Sequence, residues 1–311
     1  MKTIVTLTMN PAIDKSSSVD HVVAERKLYC TAPRFEPGGG GINVSRAIRK
    51  LGGESLALYP SGGPNGETLQ FLLNQEGIRH RPIPVKEWSR ENLIVLEGST
   101  GQQYRFGMPG PNLIEEEWRR CLAEILSSDP PPDYIVASGS LPPGVPLDFY
   151  ARIARLGKEH GARVVVDTTG EPLRLALREG VYLIKPNIGE FRDIVGPGSE
   201  DESRIREMAK KVVSDGQCEV VAISLGAAGV LLVSEAGTER LQPPTVPIIS
   251  KVGAGDSMVA GMVLSLARGN DVGDAVRFGV ASGTAAVMTP GSELCRREDA
   301  ERLYQQMAPA E

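Results

Sequence analysis

Residues 133–185 contain DYIVAS (133–138), RVVVD (163–167) and VYLIK (181–185), three short runs rich in β-branched and aromatic residues. Runs of this length and composition are typical of buried strands. The segment 148–160, between the first two runs, has the apolar spacing of an amphipathic helix. Parallel neighbouring strands need such a crossover, so the stretch predicts a mainly parallel sheet with helices on both faces, which is a doubly wound α/β fold.

The same alternation continues towards both ends of the chain. Further strands are predicted at 3–9, 55–60, 219–224 and 229–234. Further helices are predicted at 43–51, 66–76, 115–126, 202–214, 256–268 and 272–288. In the helix at 43–51 the apolar residues share one face, which predicts Arg46, Arg49 and Lys50 on the opposite, solvent-facing side. Ligands of such sheets bind beyond the carboxyl ends of the strands, so we expect the chemistry in those loops.

Two segments interrupt the alternation of strands and helices. Residues 11–36 have no helical period, and residues 84–107 alternate apolar and polar side chains around a Gly-Ser-Thr-Gly turn at 98–101. The second segment is predicted to be a hairpin. Two readings stay open: an ordinary surface hairpin, or a small separate sheet, built together with 11–36, that acts as a lid.

Composition excludes several classes of partner. The 311 residues carry a net charge of −5, and only 5% of them are aromatic. A nucleic-acid or membrane-surface binder would need a concentrated basic face, and a base-stacking platform would need more aromatic rings. No apolar run approaches the ~18 residues that span a bilayer. We therefore expect a cytoplasmic protein that binds neither nucleic acid nor membrane.

The four cysteines are Cys30, Cys121, Cys218 and Cys295. Their spacing matches neither a zinc site nor a disulfide framework. Reduced, mostly buried thiols in the cytoplasm are the expected state.

The strongest local motif is Val252-Gly253-Ala254-Gly255-Asp256-Ser257, followed by an apolar run at 258–267. Small residues let the backbone approach a ligand closely, and a helix predicted to begin at Asp256 favours an anion at its N-terminus. Asp256 could then take the proton of an attacking hydroxyl. Alternatively, Asp256 is simply an N-cap, since aspartate is a preferred cap residue.

Three further motifs lie in loops. The glycines 38–41 precede Asn43 at a helix start, where they could hold a polyol or phosphate or form a flexible loop. Asn187 and Glu190 follow the strand ending at Lys185, and they could serve Mg²⁺ or form a capping box. The segment 224–229 could be a nucleotide-phosphate turn or a tight hairpin. The chain has no GxxxxGK[ST] motif and no complete dinucleotide fingerprint, which excludes a Walker P-loop.

Taken in order, these motifs resemble those of the ribokinase/PfkB family of sugar kinases. The likeness covers residues 3 to about 295 and rests on the motifs 10–14 (NPAID), 38–44 (GGGGINV), 138–144 (SGSLPPG), 185–190 (KPNIGE), 224–226 (SLG) and 253–256 (GAGD). The resemblance implies a ribokinase-like fold with a large domain at 1–10, 37–82 and 109–311. It also implies a β-sheet lid at 11–36 and 83–108 that mediates a homodimer.

The resemblance also assigns roles to residues. Asp256 would be the general base, beside an anion hole of Gly253, Ala254 and Gly255. A sugar phosphate would be held by Asp14, Lys27, Gly38, Gly39, Gly40, Gly41, Asn43, Arg90, Arg105 and Ser140, with the two arginines on its phosphate. ATP would be held by Lys185, Asn187, Ser224, Gly226 and Gly229, with Glu190 acting through water on Mg²⁺. A monovalent cation such as K⁺ would bind the backbone of Ser250, Val252, Ala286 and Gly291.

The implied reaction is ATP-dependent conversion of fructose 6-phosphate to fructose 1,6-bisphosphate, a step of glycolysis. Gly40 favours this substrate, because family members that act on fructose 1-phosphate or tagatose 6-phosphate usually have lysine there. Those two substrates remain alternatives on the same fold. A non-catalytic regulator and a nicotinamide-dependent oxidoreductase are the remaining classes. The intact 253–256 turn counts against the first, and the missing fingerprint counts against the second.

Overall fold

The computed structural model describes residues 1–196 and 201–307. Positions 197–200 and 308–311, which were assigned to the large domain, lie outside the described residues. In chain order the strands are β1 (Ile4–Leu7), β2 (Ala12–Val19), β3 (Arg34–Gly38), β4 (Leu56–Ser61), β5 (His80–Pro84), β6 (Arg90–Glu97), β7 (Gln103–Phe106), β8 (Tyr134–Ser138), β9 (Arg163–Asp167), β10 (Val181–Ile184), β11 (Cys218–Ser224), β12 (Val230–Ser234) and β13 (Gly237–Leu241).

The helices are α1 (Gly40–Lys50), α2 (Gly63–Gln75), α3 (Glu115–Leu126), α4 (Phe149–His160), α5 (Gly170–Glu179), α6 (Ile188–Val195), α7 (Glu202–Ser214), α8 (Ala254–Ala267), α9 (Val272–Val287) and α10 (Arg297–Gln306). In the described ranges, no helix has both the length and the apolar character needed to cross a membrane.

The larger sheet has the order β13-β12-β11-β10-β9-β8-β1-β4-β5 among the described strands. Neighbours from β11 to β5 are parallel, and β12 and β13 are added antiparallel at one edge. The predicted strands and the doubly wound fold are confirmed. Sequence reasoning missed α5, α10 and both edge strands, and it gave the start of α6 only as one of two interpretations of residues 187–190. The prolines of β5 and the Gly-Thr-Glu-Arg start of β13 are atypical of central strands, but an edge strand tolerates them.

Each central strand sends alternate side chains into two separate cores. Tyr134 and Val136 of β8 pack in the core beneath α1, α8, α9 and α10. Ile135 and Ala137 of the same strand pack in the core beneath α3 to α7. Helices therefore cover both faces of the sheet, which leaves its loop-bearing carboxyl edge as the place where ligands can approach.

The smaller sheet has the order β3-β2-β6-β7. The predicted hairpin is confirmed, because β6 and β7 pair antiparallel around a turn closed by Gly101 N donating to Glu97 O at 2.8 Å. The separate-sheet reading is also correct, since β2 pairs with β6 rather than with the larger sheet. Ile83 and Pro84 were assigned to the lid, but they lie in β5 of the larger sheet.

The polar face predicted for the first helix is partly wrong. Arg49 is exposed, but the Arg46 side chain is only 2% exposed and pairs with Glu76, just past the end of α2. Periodicity predicts burial from hydrophobicity alone, so it cannot foresee an arginine that is buried because a carboxylate on another element meets it. The cysteine prediction is confirmed: all four are free thiols, and only Cys30 is exposed.

Candidate active site

Helix α8 begins two residues earlier than predicted, at Ala254. Its N-cap is Gly253, at φ 72°, and a Cβ there would lie 2.3 Å from Leu294 Cδ2, so only glycine suits this position. Asp256 is thus the third residue of the helix, and the N-cap interpretation is wrong. The first-turn amides, from Ala254 to Asp256, have no partner within the helix and present positive charge at this end.

A cavity of about 280 Å³ opens beside this helix start. Its walls come from the loops after β8, β9 and β10, from Gly40 at the start of α1, and from α8. All of these loops follow the carboxyl ends of parallel strands, as the fold predicts. The lining residues are Gly40, Ser138, Gly139, Ser140, Asp167, Thr168, Thr169, Lys185, Glu190, Gly253, Gly255 and Asp256.

Asp256 is half-buried at the cavity wall, and Asn43 Nδ2 donates to its Oδ2 at 3.0 Å. Burial, and then the negative charge of Asp167, raise the pKa of Asp256 to about 6. The hydrogen bond from Asn43 and the charge of Lys185 act in the opposite direction. The carboxylate is therefore still ionised at neutral pH, and it is a stronger base than an exposed aspartate.

Lys185 and Asp167 form an ion pair across the ends of β10 and β9, with 3.4 Å between Nζ and Oδ1. Burial acts to lower the pKa of Lys185, but three neighbouring carboxylates, Asp167 foremost, outweigh it and raise the pKa. The lysine therefore stays charged beside the cavity. Sequence reasoning missed Asp167. A charged residue at the carboxyl end of a predicted parallel strand was the signal that could have identified it.

The capping-box interpretation of residues 187–190 is confirmed. Asn187 Oδ1 accepts from Glu190 N at 2.9 Å, and Glu190 Oε2 accepts from Asn187 N at 2.8 Å. Asn187 also bridges to Ser224, which brings the ends of β10 and β11 together. The tight hairpin at 224–229 is confirmed as well, with a 3₁₀ turn at Gly226–Ala228 and Gly229 N donating to Gly226 O at 3.0 Å.

The glycine run is packed rather than flexible. A Cβ on Gly38 would lie 2.5 Å from Asp14 Oδ2, and one on Gly40 would lie 2.3 Å from Ser138 Oγ. A Cβ on Gly41 would lie 2.6 Å from the carbonyl oxygen of Leu7. Glycines therefore let the start of α1 sit directly on the ends of β1 and β8, with Asp14 of the smaller sheet alongside.

One face of the smaller sheet carries the predicted sugar ligands. Asp14 pairs with Asn92, whose Nδ2 donates to Asp14 Oδ1 at 2.8 Å. Arg90 and Arg105 share that face by register, since Arg105 stands opposite Ile94 and side chains alternate along strands. Asn92 was missed, because an amide inside a hairpin gives no signal until its cross-strand partner is known.

Two backbone carbonyls, one in the segment after β7 and one in the segment before β2, hold the guanidinium of Arg90. Its Nη1 donates to Met108 O and its Nη2 to Asn10 O, each at 3.0 Å. Its Nε is buried without a hydrogen-bond partner in the described structure, and so is Asn10 Oδ1. Burial lowers the pKa of Arg90, against the charge of Asp14. A buried donor left unpaired is costly, so Arg90 Nε would gain from an acceptor, which a bound anion could supply once the groups that cover this atom move aside.

Three of the predicted sugar ligands lie at the surface. Ser140 is exposed, and its Oγ accepts from Asn10 Nδ2 at 3.1 Å. Arg105 is exposed on β7. Lys27 lies in the exposed segment between β2 and β3, with its ammonium 5.2 Å from the ring centre of Tyr29. Lys27 is therefore not brought to the cavity within this chain.

The residues predicted to bind a monovalent cation are partly brought together. Ser250 Oγ donates to Gly291 O at 3.1 Å and accepts from Val252 N at 3.2 Å. The carbonyl of Ala286 accepts from Thr289 Oγ1 at 2.8 Å. The neighbouring Ser292 Oγ donates to Glu36 Oε2 at 2.8 Å, which joins this loop to strand β3 of the smaller sheet.

The side chains near the cavity form no ready metal cage. Within the described ranges, no group of three or more His, Cys, Asp or Glu residues could hold a metal ion. A Mg²⁺ ion that accompanies phosphate groups needs only one or two protein carboxylates, however, and Glu190 and Asp167 both line the cavity. The donor set therefore fits a phosphate-borne Mg²⁺ rather than a resident metal.

Comparisons with known proteins agree on one group of enzymes. A sequence model described as pfkB family carbohydrate kinase matches residues 3–299. The chain is 42% identical to the ATP-dependent 6-phosphofructokinase isozyme 2 of Mycobacterium tuberculosis, over 97% of this chain and 89% of that protein. It is 41% identical to the isozyme 2 of Escherichia coli over 98% of both. It is 31% identical to the 1-phosphofructokinase of Borreliella burgdorferi over 98% of this chain and 97% of that protein.

Solved structures of the Escherichia coli phosphofructokinase-2 show the same fold. The structure in complex with fructose 6-phosphate superposes with a TM-score of 0.93 at 40% identity, covering 99% of both chains. The structure in complex with potassium gives 0.94, with the same identity and coverage. That enzyme has also been solved in a tetrameric inhibited form, with a TM-score of 0.93 at 40% identity and 99% coverage of both chains.

Proposed function

The chain belongs to the pfkB family of carbohydrate kinases, as its motif order predicts, and on this premise we propose that it is an ATP-dependent 6-phosphofructokinase. The reaction would transfer the terminal phosphoryl group of ATP to the free primary hydroxyl of fructose 6-phosphate. The relatives of about 42% identity carry this activity in their names. The single observation that carries the proposal is Asp256, held by Asn43 at the start of α8 and facing the cavity.

Asp256 acts as the general base in this proposal. Its carboxylate takes the proton of the sugar hydroxyl as that oxygen attacks the phosphoryl group, and a positioned base typically contributes ~10²–10⁴-fold to the rate. The free amides of Gly255 and its neighbours at the start of α8 receive the negative charge of the transferred group. Phosphoryl transfer is mostly positioning and charge stabilisation, so these two features supply most of what the reaction needs.

The nucleotide lies on the β10–β11 side of the cavity. Lys185 offers a charged ammonium to the phosphates, with Asn187 and Ser224 beside it at the adjacent strand ends. The Gly226–Gly229 turn offers bare backbone. Glu190 would hold Mg²⁺ through water, and the ion when bound would neutralise phosphate charge.

The sugar phosphate lies between the glycine run and the smaller sheet. Asp14, oriented by Asn92, accepts from sugar hydroxyls, and Ser140 donates from the opposite loop. Arg90 presents its buried, unpaired Nε to the phosphate, and Arg105 joins it from the same face of the sheet. A guanidinium suits this task because its planar fork can pair with two phosphate oxygens.

The smaller sheet serves as a lid and as the interface of a homodimer in this proposal. It exposes apolar side chains that a monomer would leave in water, together with the segment between β2 and β3: Val22, Val23, Leu28, Tyr29, Phe35, Leu96 and Phe106. By register Phe35 and Phe106 share the face of the sheet opposite Arg90, and exposed apolar side chains grouped on one face mark interaction sites. Lys27, in the same exposed segment, would reach the ligands once the lid is in place.

K⁺ binding and cytoplasmic residence complete the proposal. K⁺ would bind the carbonyls of Ser250, Val252, Ala286 and Gly291. The hydrogen bonds that draw Ser250, Val252 and Gly291 together support this site.

A cytoplasmic location is supported by the four free cysteines, because thiols stay reduced in that compartment.

The test is a coupled assay of ADP release. It compares fructose 6-phosphate, tagatose 6-phosphate, fructose 1-phosphate and free sugars, with the Asp256→Asn variant as the control for contaminating kinase. We expect the highest kcat/KM with fructose 6-phosphate and no comparable rate in the variant. A preference for fructose 1-phosphate would make the chain a 1-phosphofructokinase, the activity named for its relative of 31% identity. No turnover with any sugar would favour a binding protein.

A further inference from the structure

Arg46 is a buried arginine that lies outside the cavity lining. Its side chain is 2% exposed, in the second turn of α1. Nε and Nη2 donate to the two carboxylate oxygens of Glu76 at 2.8 and 2.7 Å. Nη1 donates to Pro37 O at 2.9 Å, to Asn43 Oδ1 at 3.3 Å and to Ser292 O at 3.4 Å.

Stability alone is a weak reason to keep this ion pair. Removing a guanidinium and a carboxylate from water is costly, and an apolar pair of similar volume often serves a fold as well or better. The bidentate geometry with Glu76 fixes the plane of the guanidinium, and that plane directs Nη1 towards the active-site side of α1. The contacts of Nη1 therefore indicate what the pair does.

The contact of Nη1 with Asn43 sets the orientation of an amide. Asn43 has a cation on one side and a carboxylate on the other, since Oδ1 accepts from Arg46 and Nδ2 donates to Asp256. In the flipped amide, Nδ2 would meet the guanidinium and Oδ1 would meet the carboxylate, and both contacts would be repulsive. Arg46 thus selects the one orientation in which the amide donates to Asp256.

We propose that Arg46, locked in place by Glu76, is a positioning residue for Asp256 that acts through the amide of Asn43. The inference deepens the proposed function and rests on it for the catalytic role of Asp256. The same Nη1 holds the carbonyl of Pro37, which precedes the glycine run, so the arginine ties the sugar-binding loop to the base.

The test uses two variants. Arg46→Lys keeps the positive charge but loses the planar guanidinium. Glu76→Gln keeps the arginine but removes the carboxylate that holds it with two hydrogen bonds. Arg49→Lys, on the exposed side of the same helix, is the matched control. In both test variants we expect kcat to fall about tenfold, the magnitude typical of residues that orient ligating or catalytic groups. The KM for ATP should stay unchanged, because Lys185 and the 224–229 turn are untouched.

The pH profile separates positioning from a general loss of stability. The charged groups that face Asp256 are Asp167, Lys185 and Asp14, and none of them changes in these variants. Loss of the Asn43 hydrogen bond alone should therefore raise the pKa of Asp256 and move the acid limb of kcat to higher pH. Folded variants with an unshifted acid limb and normal kcat would overturn the inference, as would an equal shift in Arg49→Lys.

A carboxyl titration followed by NMR keeps this inference separate from the proposed function. If the wild-type chain turns over no sugar phosphate, the proposed function fails, yet the pKa of Asp256 can still be compared between the wild type and the variants. A higher pKa of Asp256 in Glu76→Gln would support the positioning role, and an unchanged one would end it. Glu76→Gln also serves should Arg46→Lys fail to fold, since Glu76 is 31% exposed and the amide oxygen of glutamine can still accept one hydrogen bond from Arg46.

Discussion

Burial disfavours the charged carboxylate of Asp256, which is the form that the proposed general base needs. Replacing it with asparagine should lower kcat by at least two orders of magnitude, within the ~10²–10⁴-fold range of a general base. ATP binding, measured by calorimetry, should persist, because the variant keeps Lys185 and the 224–229 turn, which are predicted to hold the nucleotide. A near-normal kcat in Asp256→Asn would end the assignment of Asp256 as the base.

The raised pKa of Asp256 predicts the acid limb of the activity. Below a pKa of about 6 the carboxyl is protonated and cannot accept a proton, so kcat should fall as the pH drops through that value. The same raised pKa has the opposite effect on the stability of the fold, which falls as the pH rises. The native state keeps this proton up to about pH 6 and the unfolded state loses it near 3.8, so stability declines as the pH rises through that window. In thermal melts at pH 4 and pH 7, the melting temperature of the wild type should fall relative to that of Asp256→Asn, because the other titrating groups are the same in both proteins.

Arg90 and Arg105 of the smaller sheet are predicted to set the affinity for the sugar phosphate. Arg90→Ala and Arg105→Ala should each raise the KM for the sugar phosphate at least tenfold, since hydrogen bonds to charged groups contribute about 1.5–3 kcal/mol. The KM for ATP should change little. Arg119→Ala, an exposed arginine on α3, is the control. Unchanged sugar-phosphate KM values in both variants would show that the phosphate binds elsewhere.

Glu190 at the start of α6 completes a capping box and is proposed to serve Mg²⁺, and two variants separate these roles. Glu190→Gln keeps an oxygen that can accept from Asn187 N, so the capping box and the melting temperature should survive. Glu190→Ala loses the acceptor for Asn187 N, although Asn187 Oδ1 still accepts from the backbone N of residue 190, so the melting temperature should fall slightly. Both variants should need more Mg²⁺ for half-maximal activity if Glu190 serves the ion. An unchanged Mg²⁺ requirement in both would leave Glu190 with its cap alone.

Elements were predictable where their stability is local. The β-branched runs predict the central strands, and the motifs at 253–256 and 185–190 predict helix starts. Strand β5, with two prolines, is held by its neighbour β4 rather than by its own propensity. The contacts of Asn92 with Asp14 and of Arg46 with Glu76 depend on residues 78 and 30 positions away, which no local pattern encodes. The sequence therefore predicted which loops form the site, but not how its polar groups are held.

At the scale of the molecule, a net charge of −5 must be reconciled with two anionic substrates. The start of α8, Lys185 and the arginines of the smaller sheet place positive charge at one edge of the larger sheet, where Asp14, Asp167, Glu190 and Asp256 place negative charge. The substrates are then attracted by these positive charges rather than by the net charge of the protein. Partly buried charges are screened less by salt than exposed ones, so substrate affinity should weaken only modestly as the salt concentration rises.

The exposed apolar side chains of the smaller sheet predict the assembly. Phe106→Glu, on β7, should lower the sedimentation coefficient from that of a dimer to that of a monomer, because a desolvated carboxylate opposes association. Leu147→Glu carries the same change at a comparably exposed site outside the smaller sheet. It should leave the assembly intact. A monomeric wild type, or equal dissociation by both variants, would exclude this interface.

The hydrogen bond from Ser292 to Glu36 joins the smaller sheet, which is proposed to face the sugar, to the loop that carries Gly291. A shift of strand β3 on sugar binding would be transmitted to that loop through this 2.8 Å contact and through Arg46 Nη1, which donates to both Pro37 O and Ser292 O. Thermodynamic linkage then requires the coupling between the two sites to have the same sign and size in both directions. Whatever factor the sugar imposes on the affinity of a ligand bound at the loop, that ligand must impose the same factor on the affinity of the sugar.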